Sequence, residues 1–122
     1  MARRYRLSAA AQADLIGIFA WTHRHFGASA RRRYEALVIA ALRDVAADPD
    51  RPGSMQRPEL GDGIRSWHLR SSRRRARTGS GMVGQARHFL LYRVEDDVIV
   101  VGRVLHDAME LERYIASGQP WE

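Results

Sequence analysis

A chain of 122 residues fits one domain, 1–122, and is long enough to bury a core without staples. It has no cysteine, which excludes a disulfide framework and a thiolate metal site, and its longest apolar runs, such as Val98–Val101, are far too short to span a bilayer. The net charge is +6, and all 20 basic residues are arginine. Codon bias toward Arg and Ala accounts for the missing lysine but not for the excess charge, which favours an acidic partner, either nucleic acid or a protein segment.

The N-terminal Met-Ala-Arg-Arg-Tyr-Arg-Leu has early positive charge but no continuous apolar run. This predicts no secretory signal and a soluble cytoplasmic protein. Arg4-Tyr5-Arg6-Leu7 alternates polar and apolar residues, as a short strand does. Ser8 can cap the helix predicted from Ala9 to about His25, with Ala11, Leu15, Ile18, Phe19 and Thr22 near one face. Gly27 breaks that helix. From Ala28 to Ala47, the residues Tyr34, Leu37, Val38, Ala41, Leu42 and Val45 follow the spacing of an amphipathic helix, which Asp48-Pro49 ends. The two helices should form an antiparallel hairpin, with Trp21 and Trp67 in the core. His23 and His25 fall on different helix faces, which argues against a metal site. Arg31-Arg32-Arg33 stands at a helix start, where positive charge is unfavourable. It reads as a solvated face or as charge kept for a partner.

The glycines and prolines of Pro49–Gly63 predict a loop. Ile64–Arg70 reads as a strand. Ser71–Gly84, with Arg73, Arg74, Arg75 and Arg77, reads as a mobile basic loop or hairpin tip. Two further strands, Arg87–Val94 and Val98–Leu105, flank the acidic turn Glu95-Asp96-Asp97. A short helix is predicted from Asp107 to about Ala116, then a tail. The pattern predicts an α+β fold: an antiparallel sheet of three to four strands, packed on one face by the N-terminal helical hairpin and open on the other, with a short C-terminal helix. The core face of the Arg87–Val94 strand stays open, because both of its faces carry large apolar groups.

The stretch RHFLLYRVEDDVIVVGRVLHDAMELERY, from Arg87 to Tyr114, closely resembles the C-terminal half of the RelE/ParE superfamily of small bacterial toxins, and its ParE branch most. Tyr5-Arg6-Leu7-Ser8, Asp14-Leu15 with Ile18, Gly27 with Ala30 and Tyr34, Asp48-Pro49, and Gly63-Ile64-Arg65-Ser66-Trp67 carry the resemblance over most of the chain. The longer, more basic Ser71–Gly84 departs from it. The resemblance implies the same α+β fold and the toxin of a type II toxin–antitoxin module. A ParE-like toxin would bind DNA gyrase and trap it on cleaved DNA, would be silenced by an acidic ParD-like antitoxin, and could touch nucleic acid through gyrase-bound DNA. It needs neither a cofactor nor a metal.

The other branch implies a ribosome-dependent mRNA endonuclease. Such cleavage needs a base, a phosphate-neutralising cation and an acid. Candidates are Arg65, Arg87, Tyr92, Arg103 and His106, with Arg70 nearby. Arginine is a poor proton-transfer group, so His68, His88 and His106 are the plausible titrating residues. Each candidate has a plainer reading. His106 beside Asp107 could cap a helix or bond to backbone, Tyr92 could be half-buried packing, and Arg103 could pair locally with Glu95, Asp96 or Glu110. For contact with antitoxin or target the expected set is Arg65, Arg70, Arg73, Arg74, Arg75, Arg77, Arg87, Arg103 and His106. A basic module without toxicity is a third reading.

Overall fold

The computed structural model describes residues 3–79 and 81–107. Strand β1 (Arg4–Leu7) leads into helix α1 (Ala9–Phe26) and helix α2 (Ala28–Ala47). Then come β2 (Met55–Gln56), a 3-10 turn at Pro58–Leu60, β3 (Arg65–His68), a second 3-10 segment (Leu69–Ala76), β4 (His88–Glu95) and β5 (Val98–His106). The strands form one five-stranded sheet in the order β1-β5-β4-β3-β2. β2 to β5 pair antiparallel, as expected, while β1 lies parallel to β5 along the edge. The count exceeds the expected three to four because a two-residue strand, β2, pairs with β3 from within the segment expected to be loop. The short C-terminal helix and the tail expected beyond Asp107 lie outside the described residues.

Local chemistry sets the boundaries. Ser8 Oγ accepts from Ala11 N at 3.0 Å and so caps α1. The same hydroxyl donates to Gly102 O at 2.7 Å, tying the start of α1 to β5. Gly27, at φ +91°, ends α1 and opens α2, a left-handed conformation that a side chain would strain. In β5, Tyr92 pairs with Val101 but Leu91 pairs with Arg103, so Gly102 is the extra residue of a bulge. The bulge resets the alternation, and Ile99, Val101 and Val104 all join the helix-side core.

That core takes Leu37, Val38, Ala41, Leu42 and Val45 from α2 and Ala11 and Leu15 from α1. Trp67, Leu90 and Tyr92 meet them from the sheet, which settles the core face of β4. Phe89 and Leu91 face the other way and join Leu105, Leu60 and Ile64 in a second cluster. The far face is therefore not fully open: the chain's own Leu60 and Ile64 cover part of it. Trp21 departs from expectation, being 51% exposed on α1.

The basic segment after β3 is not a free loop. Leu69–Ala76 winds into a 3-10 helix with Leu69, Ser72 and Ala76 buried. Trp67 Nε1 donates to Ser72 Oγ at 2.9 Å, and Ser72 Oγ donates to Asp44 Oδ2 at 2.6 Å. Arg75 Nε lies 2.8 and 2.9 Å from the two oxygens of that carboxylate. Asp44, buried on α2, thus holds the segment down. Thr78 and Gly81 then bond to each other's backbone across a tight turn.

Candidate functional site

Register brings the strand-borne histidines together. His88, the first residue of β4, pairs with His106, the last of β5, while His68 ends β3 beside Phe89. The His88 and His106 rings meet edge to face with centroids 5.2 Å apart. Asp107 follows directly, and its Oδ2 lies 3.0 Å from His68 Nε2. His68 Nδ1 accepts from Arg70 N at 3.1 Å. An acceptor Nδ1 assigns the proton to Nε2, which therefore donates to Asp107. From the helix layer, Tyr34 on α2 places its hydroxyl 2.6 Å from His88 Nδ1 and accepts the Arg87 N–H at 3.2 Å.

Burial governs the electrostatics here. Desolvation, with like charge on His106 and His68 adding to it, lowers the pKa of His88 to about 4. His88 is thus neutral at physiological pH and can accept a hydrogen bond from the Tyr34 hydroxyl at Nδ1. Burial also raises the Tyr34 phenol above its ordinary value, against the opposing Arg87 N–H. The His68 hydrogen bond holds the Asp107 carboxyl below its ordinary value. With His68 bonded at both nitrogens and His88 closed in by Tyr34, His106 is the accessible member: its side chain is 38% exposed, with Nδ1 3.6 Å from Asp107 Oδ1. Arg70 and Arg87 are exposed at neighbouring positions. This end of the sheet can present an imidazole and two guanidinium groups to an acidic ligand.

The other candidates lie elsewhere. Arg65 and Tyr92 pair in register, but both bond toward the Pro49 loop. The Tyr92 hydroxyl donates to Pro49 O at 2.7 Å, and Arg65 donates to Pro49 O at 3.1 Å and to Ser54 Oγ at 2.7 Å. Tyr92 has no exposed surface, so it is fully buried packing where half-burial was expected, and burial raises its pKa. Of the local partners expected for Arg103, Glu110 lies outside the described residues, and among those described Arg103 bonds to neither Glu95 nor Asp96. It grips Asp14 of α1 through two bonds of 2.8 and 3.0 Å, while the same carboxylate accepts Val104 N at 2.9 Å. β1 covers β5 only as far as Val101, and Asp14 takes over the edge from there. Arg75 is committed to Asp44, whereas Arg74 and Arg77 are exposed and Arg73 is half-buried.

The family of ParE toxins of type II toxin-antitoxin systems, parDE, matches residues 5–111. The chain belongs to this family. No curated protein sequence matches it. Among solved structures it is similar to the toxin–antitoxin complex RelBE2 from Mycobacterium tuberculosis, at 25% identity and a TM-score of 0.52, covering 87% of this chain and 99% of that one. The RelE/ParE-like fold is thus established.

Sequence reasoning missed several residues that this ParE-family chain uses to build the region. Tyr34 looked like one more core position on α2, yet a phenol among Leu, Val and Ala needs a buried partner, and here it has two. Asp14 and Asp44 gave no local signal, because their partners lie 89 and 31 residues away.

Proposed function

We propose that this chain is a cytoplasmic toxin, acting as one domain of residues 1–122, that disables DNA gyrase by binding and not by chemistry, and that a cognate acidic ParD-like antitoxin silences it. The observation that carries this reading is the commitment of the candidate catalytic side chains. Of Arg65, Arg87, Tyr92, Arg103 and His106, three bond within the fold: Tyr92 and Arg65 to the Pro49 loop and Arg103 to Asp14. Proton transfer at a reacting phosphate needs groups within hydrogen-bond reach of the substrate. A binding inhibitor needs only accessible surface, here the exposed Arg70, Arg74, Arg77 and Arg87 with the partly exposed His106. The RelBE2 similarity, to a toxin in complex with its antitoxin, supports the silencing partner.

The endonuclease reading rests on His106, exposed beside Asp107 and His88. One pair of assays separates the two. The full chain should accumulate cleaved plasmid in a gyrase reaction and leave ribosome-bound mRNA intact. His106→Ala should weaken gyrase binding without abolishing the effect. Codon-phased mRNA cuts, lost in His106→Ala, would overturn the gyrase reading.

A further inference from the structure

The tip of the helical hairpin carries two features that neither the fold nor the proposed function uses. The first is an exposed aromatic group. Trp21 and Phe26 are 51% and 67% exposed. Trp21 stacks on His25 with centroids 4.3 Å apart and planes 26° from parallel, and Phe26 meets Trp21 edge-on at 5.6 Å. His25 Nδ1 lies 2.9 Å from Trp21 O, which fixes the ring in that stack. The second is positive charge out of place. Arg31, Arg32 and Arg33 occupy the start of α2, whose first turn has no acidic residue and whose cap makes no side-chain bond. Cations there oppose the helix dipole. Arg31 has a loose ion pair with Glu35 at 3.8 Å, and among the described residues Arg32 reaches only Ser29 Oγ. Arg24 is exposed on the last turn of α1.

Both features lie at the same end of the hairpin. Trp21 precedes Gly27 by six residues and Arg33 follows it by six, so in antiparallel helices both stand within about 9 Å of the turn along the axis. We propose that the α1–α2 hairpin tip is a docking site for single-stranded nucleic acid, with bases continuing the Trp21–His25 stack and phosphates meeting Arg24, Arg32 and Arg33. A single strand offers both matching chemistries at once, unpaired base faces and regularly spaced negative charge. A duplex hides its base faces. An acidic peptide matches the arginines but, unlike a single strand, does not carry a flat partner beside every negative charge. This inference does not rest on the gyrase reading, because it concerns the toxin and an oligonucleotide alone.

The test is fluorescence anisotropy of the full chain with a labelled oligothymidine, its complementary duplex, polyglutamate and anionic phosphatidylserine vesicles. The single strand should bind tightest and quench tryptophan emission. Trp21→Ala should weaken it by about tenfold or more, with Trp21→Phe retaining most of the affinity. Because Trp21 and Phe26 are exposed, the circular dichroism and melting temperature of these variants should match those of the parent. Three arginine contacts give a log–log salt slope of about −2, which Arg24→Ser, Arg32→Ser and Arg33→Ser together should flatten toward zero. Equal affinity for duplex, unchanged by Trp21→Ala, would reduce the site to nonspecific attraction and overturn the proposal. Preference for polyglutamate or for vesicles would equally overturn it, in favour of an acidic protein or a membrane surface.

Discussion

Asp44→Ala should be among the most damaging single substitutions in this fold, although Asp44 lies far from the histidine cluster. Its carboxylate is 9% exposed and accepts from Ser72 Oγ at 2.6 Å and from Arg75 Nε at 2.8 Å, with Arg51 Nη1 at 3.6 Å. Truncation strands the hydroxyl of Ser72, which is wholly buried and already receives Trp67 Nε1. A hydrogen bond to a charged group contributes about 1.5–3 kcal/mol, and an orphaned buried donor costs about 1–3 kcal/mol. Arg75 is 51% exposed, so solvent screening leaves its ion pair worth under about 1 kcal/mol. The orphaning cost is part of losing that bond, so bond and ion pair together come to about 2–4 kcal/mol, a large share of the roughly 5–15 kcal/mol by which a domain is stable. At about 4 °C per kcal/mol for a chain of this size, the melting temperature should fall by about 8–16 °C. Arg75→Ser alone should cost only a few degrees, and Arg73→Ser, Arg74→Ser and Arg77→Ser together less still. Thermal melts by circular dichroism measure all of these. A loss below about 4 °C for Asp44→Ala would show that the second 3-10 segment is held by its apolar residues alone, and would refute the clamp.

Two further outcomes are expected. His88 has a pKa of about 4 in the fold against an ordinary 6.5, so folding favours its neutral form. Its contribution to stability is complete above pH ~6.5 and is lost as pH falls toward 4, by about 3 kcal/mol in all at 1.36 kcal/mol per pH unit. The Asp107 carboxyl, held below 3.8, adds its loss only at lower pH. Urea titrations should therefore show a slope between pH 6.5 and 4 that His88→Gln removes, and a slope unchanged in that variant would rule His88 out as its source. A double-mutant cycle on Asp14→Asn and Arg103→Gln should return a coupling of about 1–2 kcal/mol, since the two side chains are only 16% and 20% exposed. A coupling near zero would return Arg103 to the pool of contact residues.

What could be read from the sequence was whatever is written at short range. The period of α2, the Ser8 cap, the Gly27 break and the acidic turn of the β4–β5 hairpin all reside within a few neighbouring residues, and each element formed where they place it. The parallel pairing of β1 with β5 was not legible, because nothing local in Arg4–Leu7 names a partner 94 residues on. The segment after β3 was misread for a related reason. Its arginines look solvated, while the residues that decide its structure are the small ones between them. Ser72 and Ala76 are buried, and Ser72 bonds to a carboxylate 28 residues away. The histidine cluster was half legible. His68, His88 and His106 stood out as titrating residues near strand ends, but their meeting depends on the register, and the register depends on a bulge at Gly102.

The fate of the arginines changes what the +6 charge means. Basic residues counted along a chain suggest a uniformly sticky surface, yet several of these cations are spent inside the fold. Arg103 seals the β5 edge through Asp14, Arg65 secures the Pro49 loop, and Arg51 and Arg75 converge on Asp44. Apart from Arg51, which reaches back only seven residues to Asp44, these links join segments farther apart in sequence, and each fixes a guanidinium where a partner would have to break a bond to use it. The exposed cations Arg24, Arg32, Arg70 and Arg87 lie on the hairpin tip and beside the strand-end histidines. Tyr34 joins those two regions directly, from the second turn of α2 to His88 and the Arg87 amide. This end of the molecule therefore gathers four of the exposed arginines, so removing Arg87 or Arg32 should affect binding with little effect on folding, whereas removing Arg103 should do the reverse.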